Sequence, residues 1–293
     1  MYRILKGVGF ILGGLVGLAA LALGVVYFIT EAQLNKTYQI SAEPLVIPSD
    51  SAVVARGKHL VTTVGLCAEC HGDNLAGQTF DEGPLVGLIS VPNLTAGQGG
   101  IGRTFTDTDW VRALRHGLHP NDKPVIDMPS NYYYHFSDAD LKAIIAYLKT
   151  LPPQDNQLPP LEVGPLARIF ILQDPSLLPA QVIDHSGPRP AAPEPGVTVE
   201  YGQYLTHFCR PCHGENLAGE SGAGAGQNLT PGGELATWTE ADFMNTLRTG
   251  VNPQGRKLDP KMMPWPSLGK LSDDELKAIW LYLQSLPPVA DEA

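Results

Sequence analysis

Every cysteine of this 293-residue chain belongs to one of two copies of the pentapeptide Cys-x-x-Cys-His. The copies are Cys67-Ala-Glu-Cys70-His71 and Cys209-Arg-Pro-Cys212-His213. Two cysteines three positions apart share one helical turn, so both sulfurs can bond the two vinyl groups of a single porphyrin. The histidine that follows is then placed to bind the iron as its proximal ligand. This spacing is the attachment signature of c-type haem and predicts two covalently bound haem c groups.

Three other roles of paired cysteines compete with haem attachment. The pairs of a four-cysteine zinc site usually lie much closer in sequence than these two pairs do. A redox-active dithiol needs no histidine after it and is expected in a βαβ unit, which the sequence does not indicate. Disulfides are common in exported proteins but give no reason for the repeated spacing. We therefore expect all four cysteines to hold haem.

An uncharged run at residues 7–29 predicts a membrane anchor. At 1.5 Å per residue this helix spans about 34 Å, slightly more than the ~30 Å core of a bilayer. A cleaved signal peptide is the alternative, but cleavage at the weak A-x-A site at 20–22 would leave the apolar LGVVYFI at the new terminus. Because Arg3 and Lys6 precede the run, we predict a single-pass anchor in a bacterial cytoplasmic membrane. The N-terminus then lies in the cytoplasm and the rest of the chain on the periplasmic or extracytoplasmic side.

The remainder of the chain is an internal duplication. Each pentapeptide is followed by Gly-x-Asn-Leu-Ala-Gly, then by Asn-Leu-Thr (93–95 and 228–230) and Met-Pro (128–129 and 263–264). Asn-Leu-Thr also matches the N-glycosylation sequon, but its repetition favours a turn that both repeats share.

Each repeat is predicted to contain three helices. The first lies around 51–66 and 198–208. The middle helix begins at a Thr-x-x-Asp cap and ends at Gly117 or Gly250. The last begins at Ser137 or Ser272 and ends before a Pro-Pro pair.

No strand-like alternation of any length is present, so the predicted fold class is all-α. The predicted parts are a transmembrane anchor at 1–30, a tether at 31–48, a first domain at 49–152, a proline-rich linker at 153–197 with room for a short helix at 166–172, a second domain at 198–288 and a tail at 289–293.

Methionines identify candidates for the sixth iron ligand. Met128 is the methionine that follows the first haem motif, and it precedes a proline in a predicted loop. The second repeat offers Met244, Met262 and Met263. Met128 and Met263 each lie nine residues before the serine that opens the last helix. We therefore predict that Met128 and Met263 bind the irons opposite His71 and His213, with Met262 as an alternative to Met263. Met244 falls on the middle helix and is expected in the core.

The other histidines are predicted to lie on the surface or in packing positions because none recurs at a matched position in both repeats. They are His59, His116, His119, His135, His185 and His207. His116 or His119 remains an alternative to Met128, and such a ligand would lower the potential of the first haem.

These motifs resemble the class I c-type cytochromes, which share Cys-x-x-Cys-His, a glycine on the first helix (Gly57, Gly202), Met-Pro and a last helix with a tyrosine (Tyr147, Tyr282). The resemblance implies two tandem class I domains in which the glycine lets the first and last helices cross closely. More narrowly, the Asn-Leu-Thr, Gly-Ile-Gly-Arg and Ser-Asp-x-Asp/Glu-Leu segments resemble the membrane-anchored, multi-haem cytochrome subunits of bacterial dehydrogenases that act on alcohols or gluconate. Those subunits often carry three haem motifs where this chain has two. The two-haem subunit of cbb3-type oxidases is similar in layout.

The charge of the chain restricts its partners. The net charge is −10, and residues 49–152 and 198–288 each carry three more acidic than basic side chains. An acidic surface disfavours nucleic acid and suits a redox partner with a basic patch.

No catalytic motif is present in the sequence. We predict an electron-transfer protein, not an enzyme, that passes single electrons between a respiratory or photosynthetic membrane complex or a dehydrogenase and a redox partner. The alternatives are a dihaem peroxidase with one exchangeable iron ligand and a subunit that mainly holds a larger membrane complex together.

Overall fold

A computed structural model describes residues 2–40, 44–219 and 226–290. Its first helix, α1 (Tyr2–Leu34), contains the uncharged run. Within the described residues it is the one helix long and apolar enough to cross a membrane. Large apolar side chains such as Phe10 are exposed along it, so it has no protein core to fill. The helix runs four residues past the predicted end of the anchor and takes up the start of the predicted tether.

The two repeats form similar series of helices. In the first repeat these are α2 (Ser51–Thr62), α3 (Cys67–His71), α4 (Gly83–Val86), α5 (Asp107–His116), α6 (Ser130–Tyr133) and α7 (Asp138–Lys149). The linker contains α8 (Pro165–Gln173). In the second repeat they are α9 (Val199–Thr206), α10 (Arg210–His213), α11 (Glu240–Thr249), α12 (Trp265–Leu268) and α13 (Asp273–Ser285). The predicted helices are therefore present, and α4 has no counterpart in the described part of the second repeat.

The caps of the middle helices form as the sequence predicts. The Thr106 hydroxyl accepts a hydrogen bond from the Asp109 N–H at 3.2 Å, and the Asp109 carboxylate accepts one from the Thr106 N–H at 2.8 Å. Thr239 and Asp242 form the same capping box. Such boxes satisfy N–H groups that a helix leaves unpaired at its first turn.

The first and last helices of each repeat cross at a glycine. A Cβ atom built on Gly57 would lie 1.8 Å from the Ala143 carbonyl oxygen, and one on Gly202 would lie 1.9 Å from the Ala278 oxygen. These distances are far below van der Waals contact, so only glycine fits at either crossing. The close crossing expected from the resemblance is confirmed in both repeats.

A small antiparallel sheet corrects the all-α prediction. Its order is β1 (Gln78–Asp81), β2 (Gly87–Val91) and β3 (Glu162–Val163). The residues of β2 are half-buried at every position, which removes the alternation that a sequence pattern relies on. β3 comes from the linker and exists only through pairing with β2. The described chain is thus mostly helical with one short sheet.

The linker packs on the first repeat along much of its length. Gly164 N–H donates a hydrogen bond to the Val86 carbonyl at 2.8 Å, which holds the start of α8 against α4. Beyond α8, Leu178 and Ala180 are buried. The predicted short helix at 166–172 is present within α8.

The two repeats bury a common interface. The rings of Phe136 and Phe208 stack with centroids 4.1 Å apart, and those of His135 and His207 lie 3.6 Å apart. Both pairs join the segment before α7 to the residues that precede the second haem motif. The interface therefore lies beside that motif.

Candidate haem sites

The haem motifs form short helices that begin differently in the two repeats. In the first, residues 63–66 separate α2 from α3, and Leu66 adopts a left-handed conformation with φ 48°. In the second, a 3₁₀ turn at His207–Cys209 follows α9 directly and leads into α10. Fewer residues therefore separate the first helix from the haem motif in the second repeat than in the first. One of these residues, His207, lies in the interface between the repeats.

Within the described residues, the four cysteines form no disulfide with one another. Cys67 and Cys209 are enclosed, and burial together with the neighbouring cysteine raises the pKa of each to about 12. Cys70 and Cys212 lie at the surface. The two sulfurs of each motif lie three positions apart on one helical turn, where both can reach a single porphyrin.

The motif histidines are oriented by a backbone carbonyl in each repeat. His71 Nδ1 lies 2.8 Å from the Pro92 oxygen, and His213 Nδ1 lies 2.6 Å from the Gln227 oxygen. A carbonyl only accepts, so Nδ1 carries the proton and Nε2 keeps its lone pair for a metal. Burial lowers the pKa of both imidazoles, which favours this neutral form.

Sequence reasoning did not identify Pro92 and Gln227. Each immediately precedes Asn-Leu-Thr, so the repeated position could have indicated them. Each acts through its backbone carbonyl oxygen. Because every residue has such an oxygen, the residue type does not reveal this role.

The Asn-Leu-Thr segments form the shared turn that the duplication predicted. Asn93 Nδ2 donates to the Gln154 carbonyl at 2.8 Å, and Asn228 Nδ2 donates to the Val289 carbonyl at 2.7 Å. Both asparagines are buried. Each turn fastens the loop that carries the histidine acceptor to the chain beyond the last helix.

The two Met-Pro segments have matching backbones. Ser130 N–H donates to the Met128 carbonyl at 2.7 Å, and Trp265 N–H donates to the Met263 carbonyl at 2.6 Å. The prolines have ψ angles of 50° and 53°. Met128 and Met263 both pack against the core, whereas Met262 is 55% exposed. Met263 is therefore the structural counterpart of Met128.

An apolar cavity of about 240 Å³ lies between motif and methionine in the second repeat. Its lining includes Cys212, His213, Met262, Met263, Leu229, Phe243 and Leu247. Trp238 also borders it, and the indole Nε1 is buried with no hydrogen-bond partner in the described residues. One thiol, an imidazole and two thioethers border this apolar space, and the unpaired indole N–H lies at its wall. These groups fit a haem and its carboxylates.

Five of the remaining histidines pair with or lie against other side chains. His59 pairs with Glu275, His116 Nδ1 lies 3.1 Å from His185 Nδ1, and His135 stacks on His207. These contacts agree with the packing roles predicted from the sequence.

The repeats also meet beside the haem motifs. Ser267 Oγ donates to the Glu69 carboxylate of α3 at 2.8 Å, and the Tyr132 hydroxyl donates to Glu215, just beyond α10, at 3.3 Å. Tyr132 and Ser267 occupy matched positions of the duplication. Each repeat thus contacts the motif region of the other.

Comparison with known families gives one cytochrome model for each repeat. Residues 54–152 match the family described as cytochrome c. Residues 201–283 match the family described as cytochrome c oxidase, cbb3-type, subunit III. Each matched range contains one haem motif and one of the Met-Pro segments.

Curated relatives extend the similarity across both repeats. A diheme cytochrome c-type protein of Cereibacter sphaeroides is 27% identical over 91% of this chain and 97% of its own length. The fructose dehydrogenase cytochrome subunit of Gluconobacter japonicus is 26% identical over 85% of this chain and 56% of its own. The gluconate 2-dehydrogenase cytochrome c subunit of Pantoea cypripedii is 29% identical over 81% and 60%. The chain therefore spans little more than half the length of the dehydrogenase subunits.

Proposed function

We propose that this chain, which carries two c-type cytochrome domains with covalently bound haem c, is a membrane-anchored electron-transfer protein with two tandem class I domains. The observation that carries the proposal is the repeated site: a Cys-x-x-Cys-His helix whose histidine Nδ1 faces a carbonyl, with a Met-Pro turn of matching geometry. Haem iron supplies reversible one-electron exchange when bound. The chain's own residues hold the haem, orient it and shield it from water.

In this proposal each residue of the site has a separate task. Cys67, Cys70, Cys209 and Cys212 anchor the haems. His71 and His213 offer Nε2 to the irons while the carbonyl at Nδ1 fixes the ring and raises its basicity. Met128 and Met263 would supply the second ligand of each iron through their thioether sulfurs. A histidine and a methionine together would suit electron transfer, and the methionine would raise the potential.

The interface between the repeats supports electron exchange between the two sites. Glu69 on α3 contacts Ser267, and Glu215 beyond α10 contacts Tyr132, so the motif helices approach a common surface. The interface is packed with aromatic rings, which holds the two sites at a fixed distance. We propose that electrons pass within the molecule from one haem to the other across this surface.

The relatives suggest where the electrons come from. Two of those reported above are cytochrome subunits of dehydrogenases. We propose that this chain accepts electrons from a dehydrogenase or membrane complex and delivers them to a partner with a basic docking patch, because both of its domains are acidic. The anchor α1, with Arg3 and Lys6 at its start, holds both domains on the extracytoplasmic side.

Spectroscopy of the oxidised protein tests the axial ligands. Methionine bound to ferric haem gives a weak long-wavelength charge-transfer band. Met128→Leu and Met263→Leu are each expected to remove about half of that band, because each removes one of two methionine ligands. Met262→Leu is the matched control and is expected to leave the band intact. High-spin haem in the unsubstituted protein, or loss of the band in Met262→Leu, would overturn the assignment.

A further inference from the structure

The linker helix α8 is fastened to the outer end of the anchor. Arg168 on α8 donates from Nη1 to the Thr30 hydroxyl at 2.9 Å and from Nη2 to the Glu31 carboxylate at 3.0 Å. Its guanidinium also lies 4.0 Å from the centre of the Tyr27 ring. Arg168 and Thr30 are both buried, so the junction is packed. The first domain is therefore held directly by α1, in addition to the connecting chain.

The position of this junction along α1 determines how deep the junction lies in the membrane. The uncharged run of α1 ends at residue 29, and its ~34 Å length slightly exceeds a bilayer core of ~30 Å. Residues 27–31 consequently lie where acyl chains meet headgroups. Tyrosine and arginine are the residue types that favour this layer. Because Arg168 contacts these residues, α8 lies at the same level.

Apolar side chains are exposed around the junction. Phe170 on α8 is 44% exposed and Leu161 just before it is 40% exposed. Leu85 on α4 is 62% exposed, and α4 is held against α8 by the Gly164–Val86 hydrogen bond. Arg168 is the only charged residue of α8, and Thr30 and Glu31 already satisfy it. The surface beside the anchor is thus largely apolar, with acidic groups such as Glu162 nearby.

We infer that Leu85, Leu161 and Phe170 form a second membrane contact and insert into the boundary between headgroups and acyl chains. The inference rests on the proposed membrane anchoring. Its occupant is lipid because the surface is continuous with a helix end that lies in that layer. The acidic neighbours disfavour attraction to anionic headgroups, so the contact depends on apolar burial.

This contact sets the distance between the first haem site and the membrane. The α4 segment connects β1 to β2, and β2 ends at Val91, directly before the Pro92 carbonyl that faces His71. The element that rests on the bilayer is therefore continuous with the loop that orients the proximal histidine. The first domain is seated on the membrane, and the site of His71 is held at one distance from it.

Spin labels on the full-length haem protein in phosphatidylcholine nanodiscs test this contact. The native cysteines are consumed by haem, so Leu85→Cys and Phe170→Cys each provide one reactive thiol. Leu281→Cys on α13 is the control, since Leu281 is also exposed, at 37%. Oxygen concentrates among acyl chains, whereas a nickel chelate stays in water. Labels at 85 and 170 are expected to collide more with oxygen than with nickel, and the label at 281 more with nickel.

The outcomes separate this inference from the anchor itself. If the protein enters nanodiscs and labels at 85 and 170 collide mainly with nickel, the second contact is refuted and the anchor stands. If both reagents are excluded at these positions, protein covers the surface and the inference is again overturned. If the chain does not enter nanodiscs, the membrane anchor of the proposed function fails.

Discussion

His59 Nε2 lies 2.8 Å from the Glu275 carboxylate and joins the first helix of one repeat to the last helix of the other. The reciprocal contact places the Tyr204 hydroxyl 2.7 Å from the Asp140 carboxylate. Tyr204 is the counterpart of His59, and Asp140 is the counterpart of Glu275. The contact therefore follows an approximate two-fold relation between the repeats, like the isologous interface of a dimer.

Acid is expected to weaken this interface through Glu275. Burial alone would raise its pKa, but hydrogen bonds from His59 and Ser272 and the charge of Arg56 bring the pKa down from 4.5 to about 2. A carboxyl with a lowered pKa contributes stability above pH 4.5 that is lost as the pH falls towards 2. Urea unfolding followed by circular dichroism should show a loss of up to about 3 kcal/mol over this window. Glu275→Gln should remove that part of the pH dependence, and an unchanged profile would contradict the assignment.

Alanine at the helix crossings is expected to disrupt the repeat that contains it. A Cβ on Gly57 or Gly202 would overlap a backbone carbonyl oxygen on the last helix. Since backbone on both sides must move, Gly57→Ala and Gly202→Ala should each cost about 3 kcal/mol or more of unfolding free energy. Gly196→Ala is the control, because a Cβ there would lie 3.9 Å from the Thr198 methyl group, which is ordinary contact. Equal thermal stability of all three variants would contradict the argument.

Removing the buried asparagine of one Asn-Leu-Thr turn is expected to affect one haem at a time. Asn93→Ala removes the hydrogen bonds to the Gln154 carbonyl and from the Thr95 N–H, at a cost of about 1–3 kcal/mol. The loosened loop also weakens the hydrogen bond from His71 to Pro92, which makes the imidazole less basic and should shift the first haem to a more positive potential. A spectroscopic redox titration measures this shift.

Asn228→Ala is the matched variant in the second repeat and should shift the other haem. If both variants shift the potential of the same haem, or if neither shifts a potential, the asparagine does not act through the histidine of its own repeat.

The Arg168 junction is expected to contribute more stability than an exposed ion pair. Arg168→Met leaves the buried Thr30 hydroxyl and Glu31 without this partner and should cost about 1.5–3 kcal/mol. Lys149→Met removes the pair with Asp107, whose side chains are 48% and 38% exposed, and should cost less than about 1 kcal/mol. Denaturant unfolding in detergent measures both losses. Similar losses would argue against a packed junction.

Local sequence patterns predicted most of the helical framework. The Thr-x-x-Asp and serine caps, the glycine stops and the apolar spacing each act within one or two turns, so residue types alone specify them. The duplication strengthened these predictions, because the nine-residue spacing matched Met263 to Met128 and the structure gives both the same turn. Whether these methionines bind iron stays a prediction.

Elements that depend on distant pairing were missed. β3 forms only because residues 162–163 reach β2, and two residues carry no periodicity of their own. The predicted tether is partly helix, since α1 continues to Leu34 and contacts the linker. Arg168 and Glu31 are 137 positions apart, and nothing in either segment indicates the other.

The sequence by itself determined that two haem motifs lie in two copies of one helical unit, preceded by an apolar N-terminal segment. It could do so because the spacing of the motif residues and the local helix signals depend only on residue type. Only the tertiary structure decided which carbonyl orients each histidine, how the repeats meet around His59 and Glu275, and how α8 joins the anchor. Those contacts form between backbone groups or between residues far apart in the chain, and packing of the whole fold brings them together.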